Sequence, residues 1–366
     1  MVVDKLVGQR KFTYKEAGVD RELRASSKKA LSFLAKTYGL NPYGRVIQLP
    51  YGNVFPFGDE YLDLCIEGVG TKVLLAQLAN KYDTIGIDSV AMAVNDVLRS
   101  GARPVAIVDN VHVQVSDPAL VEDLIKSVTK GAIEAGCVVP GGEIGDVAEV
   151  VRGVTEGKGF DLVVACLGEL TSRKMIYGND LKPEDVVIGL RSSGIHSNGI
   201  SLARKVLFKQ WGGKYDPYDM PGNLNRELIY EVLEPTRIYV KPVLRVAEKV
   251  KLKGAVHVTG DAYLKFDRLM KFSKGVGFEF DNFKPQQIFE LIPKTAKALG
   301  GTVTDDEMFR TFNMGWGFAL IVAKEDVDNA LEYANKSGVE AEPIGRVTRK
   351  SGRIVVFWRE KKLTLK

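Results

Sequence analysis

The sequence predicts an α/β (α+β) fold in two domains, and three observations lead to this prediction. Apolar, strand-like runs alternate with amphipathic helical segments along the whole chain. The length of 366 residues suggests two domains, at ~150 residues per domain. A polar break with a glycine and a proline soon after it begins near residue 171. We therefore predict domains at 1–170 and 171–366.

In the first half, β-branched and apolar runs predict strands at 61–66, 105–115 and 161–167. Helical spacing predicts helices at 71–79, 89–99 and 120–135, and Gly136 ends the last of these. Residues 21–37 could form a further helix. The polar segment before residue 21 is expected to be a mobile arm.

The second half repeats this alternation of strands and helices. Strands are predicted at 186–190, 277–280, 318–322 and 353–358. Helices are predicted at 200–208, 225–233, 239–250, 286–299 and 326–337. The alternation in both halves is what indicates layered α/β or α+β packing.

Composition excludes several classes of protein. The net charge of +5 is mild and the basic residues are spread along the chain, which disfavours a nucleic-acid binder. Three cysteines lie far apart without a CxxC pair, which disfavours disulfides and a zinc site. There is no signal-peptide pattern and no apolar run long enough to span a bilayer. We therefore expect no membrane association and a cytoplasmic protein.

A glycine-rich motif lies between the first predicted strand and helix. It consists of Glu67, Gly68, Val69, Gly70, Thr71 and Lys72. Its glycines let the backbone approach a ligand, and the helix start offers free N–H groups to an anion. The spacing differs from a Walker A loop. A tight strand-to-helix turn without a ligand is the alternative interpretation.

The following helix carries polar residues at helical spacing. If it begins near Asp88, then Asp88, Met92, Asn95 and Asp96 share roughly one face, and Asp88 is a plausible N-cap. Asp96 has apolar neighbours, and a hard cation bound to phosphates would offset the cost of burying its carboxylate. The alternative is an exposed Asp96 on the helix surface.

A second glycine pair, Gly141 and Gly142, precedes Glu143 and is expected to end a strand. Glu143 joins Glu67, Asp88 and Asp96 as the fourth carboxylate beside a strand or helix end. Magnesium on a nucleotide typically uses one or two protein carboxylates. Some of the four would therefore orient lysines or ribose hydroxyls instead.

In the second half, polar residues at 192–199 lie directly before a predicted helix and could bind an anion. They include Ser193, Gly194, His196, Ser197 and Asn198. His196 could act as an acid, a base or a neutral donor, or be structural. Arg237 could clamp a phosphate or carboxylate, or simply lie at a helix start. The segments at 257–261 and 309–317 could be buried turns.

Taken together, these motifs resemble the phosphoribosylformylglycinamidine cyclo-ligase (aminoimidazole ribonucleotide synthetase) family. The resemblance also covers residues 14–20 and 235–241 and so runs from end to end. It implies an N-terminal α/β domain that pairs in a homodimer and a C-terminal α+β domain. It implies ATP-dependent ring closure of formylglycinamidine ribonucleotide in purine biosynthesis, with Mg2+.

The resemblance also implies roles for individual residues. Nucleotide and metal would contact 67–72, Asn95, Asp96 and Gly142, with Asp88 and Glu143 beside them, and Glu67, Asp96 and Glu143 would be the metal ligands. Lys15 and Asp20 in the arm would fold over the nucleotide. The substrate would contact Ser193, Gly194, His196, Ser197, Asn198 and Arg237. His196, Lys72 and Asp96 would be catalytic.

Three departures from the family pattern leave alternatives open. Glu67 replaces the usual aspartate, Asp261 and Ala262 follow Gly260 where glycines are usual, and 144–148 differ from the usual loop. A nucleotide-binding paralogue without turnover is one alternative. A related ATP-using enzyme, of the selenophosphate synthetase or thiamine-monophosphate kinase type, is another.

Overall fold

The computed structural model describes residues 10–366 and contains two large sheets. In the first half the elements are β1 Arg10–Lys11, α1 Arg21–Ser27, β2 Ile47–Gln48, β3 Asn53–Phe57, β4 Glu60–Gly68, α2 Val73–Ala79, α3 Ile85–Val97, β5 Arg103–Val113, α4 Pro118–Ala135, β6 Gly142–Asp146 and β7 Phe160–Leu170. The strand order in this sheet is β2-β3-β4-β7-β5-β6.

In the second half the elements are β8 Val186–Arg191, α5 Ile200–Leu207, α6 Leu228–Val232, α7 Val240–Ala247, β9 Gly254–His257, α8 Asp267–Phe272, β10 Gly277–Phe280, α9 Gln287–Ala298, β11 Gly301–Thr302, α10 Asp305–Thr311, β12 Trp316–Val322, α11 Val327–Lys336, β13 Ala341–Thr348, β14 Ile354–Trp358 and β15 Lys361–Thr364. Seven strands form one mixed sheet in the order β15-β14-β10-β13-β8-β12-β9.

Helix α3 lies at the junction of the two halves, and all thirteen of its residues are buried. It packs against α4 unusually closely, because a side chain at Gly86 would come within 2.3 Å of the backbone nitrogen of Val128. The helix begins at Ile85 with Thr84 as its N-cap residue. Asp88, predicted to be an N-cap, therefore lies inside the first turn.

The first sheet has one covered face and one open face. Helix α3 covers the face towards which Cys65 and Glu67 point, and α4 packs against α3. The opposite face exposes apolar side chains, with Leu64 61% and Ile66 69% exposed and Val108 also exposed. Soluble monomers rarely leave an apolar sheet face of this kind uncovered.

The described part of the arm is packed against the second half of the chain. β1 pairs in parallel with β11, and Lys205 donates a 2.6 Å hydrogen bond to the carbonyl of Glu16. The prediction of a mobile arm is therefore wrong for residues 10–20, and residues 1–9 lie outside the described part. Within residues 10–366, no helix is both long and apolar enough to cross a membrane.

Candidate active site

A cleft of about 220 Å3 lies where the arm and the two halves of the chain meet. Four segments supply its walls: the arm with α1, the glycine-rich motif at the end of β4, Met92 of α3, and the loop that leads into α5 with the start of that helix. The lining residues are Tyr14, Val19, Arg24, Glu67, Gly68, Val69, Gly70, Thr71, Met92, Ser197, Asn198, Ile200 and Ser201. Seven of these residues belong to the predicted site.

The glycine-rich motif forms a tight passage from β4 into α2. Gly70 has a φ of +70° and opens a short 3-10 turn that leads into α2. Such a φ favours glycine, and the first amides of the turn have no acceptor within it. Across the cleft, the hydroxyls of Thr71 and Ser201 lie 3.0 Å apart. The motif therefore presents backbone donors and one hydroxyl to the cleft.

Beside this motif, β4 and α3 bring together the ligand atoms of Cys65, Glu67 and Asp96, all within 4.8 Å of one another. Burial and the charge of Asp96 raise the pKa of Glu67 to about 7. Burial acts to raise the pKa of Asp96. The charge of Arg99 and the hydrogen bond from His257 outweigh that effect and hold the pKa below its usual value. The pair therefore favours one negative charge and one proton.

A divalent cation fits this carboxyl pair, because it could replace the proton that Glu67 retains. Magnesium prefers hard oxygen ligands. Burial raises the pKa of the Cys65 thiol far above its usual value, so its sulfur stays protonated and is a poor ligand. The fitting donors are accordingly the two carboxylates, which were both predicted as metal ligands.

Lys72 and Asp88 are both fully buried and form an ion pair, with Lys72 Nζ 2.9 Å from Asp88 Oδ1. Asp88 Oδ1 also accepts hydrogen bonds from the backbone and hydroxyl of Thr236 and from the hydroxyl of Ser197. Lys72 donates to the carbonyl of Glu234 at 2.6 Å. The network joins the two halves of the chain.

This geometry corrects the predicted contact of Lys72 and Asp88 with nucleotide. Burial lowers the pKa of Lys72 while Asp88 opposes that shift. The ammonium of Lys72 is buried between the two halves of the chain. Lys72 and Asp88 do not line the cleft but pack beneath the residues that do. Asn95 is likewise fully buried, with its amide bonded to the carbonyl of Arg237 and the backbone nitrogen of Tyr239, so it too joins the halves.

His196 is 1% exposed and lies behind the cleft lining. Its Nε2 accepts hydrogen bonds from the backbone nitrogens of Ser193, at 3.2 Å, and Arg237, at 3.5 Å. Burial holds its pKa well below 6.5. The imidazole is therefore neutral near pH 7, with its proton on Nδ1, which has no partner in the described structure.

The remaining predicted substrate residues fall into three groups. Ser197 and Asn198 line the cleft. Ser193 and Gly194 instead brace the loop, through bonds to the carbonyl of Pro235 and from the amide of Asn313. Arg237 is half-buried, its Nε has no hydrogen-bond partner, and within residues 10–366 its guanidinium contacts no carboxylate.

The strand β6 corrects the placement of Gly142 and Glu143. These residues begin a strand, whereas the sequence predicted the end of one. Glu143 is exposed, and its register runs through Asn110 and Val163 to Gly68, three strands away, or about 14 Å. Its side chain faces the open side of the sheet, so it does not join Glu67 within one chain.

In the arm, Lys15 pairs with Asp20 at 2.8 Å, and Asp20 accepts hydrogen bonds from the first amides of α1. Neither residue lines the cleft. The arm residues that do so are Tyr14, Val19 and Arg24. In this structure Asp20 is the N-cap of α1 and Lys15 is its ion-pair partner, and their contact with nucleotide stays a prediction.

The sequence did not predict that Thr236 is a partner of Asp88. It also did not predict that Lys265 lies near the site. Lys265 is near the carboxyl pair, and burial lowers its pKa to about 8. His257 Nδ1 lies 2.8 Å from Asp96 Oδ1, which explains the buried histidine in the segment 257–261. Contacts over such sequence separations leave no local pattern.

Comparisons with known proteins agree with this architecture. The "AIR synthase related protein, N-terminal domain" family matches residues 52–170, and the "AIR synthase related protein, C-terminal domain" family matches residues 182–357. The phosphoribosylformylglycinamidine cyclo-ligase of Methanocaldococcus jannaschii is 41% identical over 92% of each chain. That of Pyrococcus horikoshii is 38% identical over 94% of this chain and 98% of its own.

Solved structures share the fold at low identity. AaThiL complexed with AMPPCP and TMP superposes with a TM-score of 0.59 at 16% identity, covering 93% of this chain and 95% of its own. HypE in the HypE–HypF complex gives 0.58 at 17% identity, covering 86% and 92%. T. maritima PurL complexed with ADP gives 0.55 at 16%, covering 87% and 45%. The chain belongs to the AIR synthase related family.

Proposed function

We propose that this chain is a phosphoribosylformylglycinamidine cyclo-ligase that makes 5-aminoimidazole ribonucleotide for purine biosynthesis. The observation that carries this is the similarity, at 38–41% identity over more than nine-tenths of both chains, to relatives with that name. The cleft supports it, because a glycine-rich turn and a carboxyl pair stand together beside a second polar loop.

The proposed reaction closes a ring in two steps. The γ-phosphoryl group of ATP is transferred to the formyl oxygen of formylglycinamidine ribonucleotide, and ADP leaves. The amidine nitrogen then attacks the same carbon, the bond from carbon to the phosphorylated oxygen breaks, and phosphate and a proton are released. The protein's task is to position the two ligands and to balance their charge.

The two walls of the cleft divide this task. We assign the backbone amides of Gly70 and Thr71 to the ATP phosphates, because free amides at a helix start favour anions. We assign Ser197 and Asn198, on the opposite wall, to the ribonucleotide. The guanidinium of Arg237 is assigned to the same ligand, because it contacts no carboxylate within residues 10–366. Lys72 and Asp88 act as positioning residues, because they hold these walls together from inside.

For the metal, we assign Glu67 and Asp96 to Mg2+. When bound, the ion would neutralise phosphate charge and orient the polyphosphate. Asp96 is already oriented by His257 and Arg99, which leaves Glu67 as the group that must lose a proton. Glu143 could contribute only from a second copy of the chain, because in its own chain it faces the open side of the sheet.

His196 is proposed to position the two loops that meet at its Nε2. A neutral imidazole with a depressed pKa is a poor general acid at pH 7. It can instead hold Ser193 and Arg237 in register. Replacing His196 by alanine should lower turnover through misplacement of Arg237, whereas unchanged turnover would refute the role.

The open apolar face of the first sheet supports a homodimer in which two such faces pack together. This packing would remove Leu64, Ile66 and Val108 from water, which favours association. Replacing Ile66 with glutamate should convert the dimer to a monomer in light scattering. The same change at Leu40, which is 78% exposed outside this face, should have no such effect.

Phosphate release is the test of the function as a whole. Purified protein is given ATP alone, formylglycinamidine ribonucleotide alone, and both, with mass detection of 5-aminoimidazole ribonucleotide. We expect release and product only with both. Asn198→Ala should raise the KM for the ribonucleotide, and exposed Asn223→Ala serves as control. Nucleotide binding without ribonucleotide-dependent release would overturn the proposal.

A further inference from the structure

The arm is fixed at the cleft by contacts that do not involve Arg24. β1 pairs with β11, and Glu307 accepts hydrogen bonds from the backbone of Tyr14 and from the guanidinium of Arg21. Arg21 also donates to the hydroxyl of Thr311 at 2.6 Å. The position of α1 over the cleft therefore has its own anchors, and Arg24 is available for another role.

Arg24 lines the cleft and reaches it from α1. Among the lining residues it is the one with a permanent positive charge, and Glu67 is the one carboxyl group. Its Nη2 donates to Asp261 Oδ1 at 2.6 Å, and 37% of its side chain is exposed. Within residues 10–366, its Nε and Nη1 donate to no protein acceptor. Two guanidinium nitrogens, which carry three N–H groups, therefore remain for a ligand.

Asp261 holds Arg24 in place at some cost to the backbone. Its φ is +79°, a conformation that glycine adopts freely and that aspartate tolerates better than most residues. The carboxylate contacts Arg24 and lies 3.5 Å from Arg21 Nε. A side chain at Gly260 would come within 2.9 Å of Asn198 Oδ1 and 3.8 Å of Arg24 Nη1. The guanidinium of Arg24 therefore lies near Asn198, on the opposite side of the cleft.

Other positively charged side chains lie near Arg24 at this end of the arm. Lys28 lies one helical turn after Arg24, so both can point the same way. Burial lowers the pKa of Lys28, and repulsion from Arg268 and Arg24 lowers it further. An anion placed between these cations would relieve the repulsion.

We propose that Arg24, positioned by Asp261, is a phosphate-binding residue of the cyclisation site, carried to the cleft by the N-terminal arm. The proposal rests on the proposed function for the identity of its ligands. Two phosphate groups fit its chemistry: the polyphosphate of the nucleotide and the monoester phosphate of the ribonucleotide. Arginine suits either, because its N–H groups can contact two phosphate oxygens together.

The test uses the full-length protein with Arg24→Gln, Arg24→Lys and Asp261→Asn. Lys29→Gln is the matched control, because it removes one positive charge from an exposed position on the same arm. The KM for ATP and for formylglycinamidine ribonucleotide is measured for each variant, together with kcat. Calorimetry gives the dissociation constant for ADP, and urea unfolding gives the stability of each variant.

We expect Arg24→Gln to raise one KM at least about tenfold while Lys29→Gln changes neither. Weaker ADP binding would identify the nucleotide phosphates, and a raised KM for the ribonucleotide alone would identify the monoester. Arg24→Lys and Asp261→Asn should give smaller losses for the same ligand. The ionic-strength dependence of that KM should become shallower in Arg24→Gln.

Unchanged affinity for both ligands in Arg24→Gln would overturn the proposal. So would losses that follow the urea midpoint across all variants, because Arg24 would then only latch the arm. If the wild-type protein bound ADP but released no ribonucleotide-dependent phosphate, the proposed function would fail. The ADP measurements would still decide whether Arg24 binds the nucleotide phosphates.

Discussion

Replacing Lys72 with methionine tests whether this lysine supports the junction of the two halves. Methionine keeps most of the apolar stem but removes the ammonium, which donates to Asp88 and to the carbonyl of Glu234. Asp88 is then left as a buried carboxylate without its cation. Its remaining donors are neutral, from Thr236 and Ser197.

Breaking a buried ion pair from one side costs about 3–5 kcal/mol, because the other charge stays buried without compensation. Three neutral hydrogen bonds to Asp88 remain, so we expect the lower part of that range, about 3 kcal/mol. Adding Asp88→Asn removes the buried charge. The double variant should therefore lose less than the two single losses added together.

Urea unfolding, followed by tryptophan fluorescence and circular dichroism, measures these losses. The matched control is Lys81→Met, because Lys81 pairs with Asp83 where both side chains are at least 36% exposed. An exposed pair of this kind contributes about 0–1 kcal/mol. ADP affinity, measured on folded protein, should change little in Lys72→Met. A stability loss no larger than that of the control, together with lost ADP binding, would refute the structural role and restore the ligand contact.

Two further predictions concern packing and metal binding. Gly86→Ala should lower the free energy of unfolding by more than about 2 kcal/mol, because the new methyl group meets backbone atoms of α4; Gly39→Ala, where no atom lies within 4 Å, should change the urea midpoint little. Mg2+ should raise the melting temperature more at pH 8 than at pH 6, because the pKa of Glu67 is raised to about 7 and the ion competes with its proton. In metal-free protein the raised pKa means that the stability from protonated Glu67 is present below pH 4.5 and is lost as the pH rises through about 7. Glu67→Gln should remove both pH effects, and equal Mg2+ effects at the two pH values would contradict the assignment.

Local patterns predicted the helices with one apolar face and the strands with an uninterrupted apolar run, such as β10 and β12, and were less successful where glycine or proline interrupts the pattern. Helix α4 was predicted to within a few residues because it has one apolar face and ends at Gly136. Helix α3 is buried on every side, so no periodicity marked its start, and Gly86 hid it further. Strand β13 was missed because Pro343 and Gly345 flank an irregularity within it. Such residues disrupt a strand pattern locally but are tolerated at a bulge.

The candidate site shows the same division between local and distant contacts. The glycine-rich motif and the pair Ser197 and Asn198 could be predicted because the residue types that form such loops are adjacent in the sequence. The partners of Asp88 and Asp96 lie 148 and 161 residues away, at Thr236 and His257. A single sequence carries no signal for such pairs. Buried carboxylates therefore suggested ligand contacts when their partners were in the other half of the protein.

These contacts between residues far apart in the sequence make the walls of the cleft rigid. Ser197 lines the cleft and bonds to buried Asp88, while Asp96, in contact with Glu67, bonds to His257. Separating the two halves would break both connections and the buried Lys72–Asp88 network that joins them, at a cost of several kcal/mol. A ligand cannot readily supply that energy merely to open the walls. The arm crosses the cleft through partly exposed ion pairs, which cost less to break. Rearrangement on ligand binding should therefore be concentrated in the arm, where Arg24 stands.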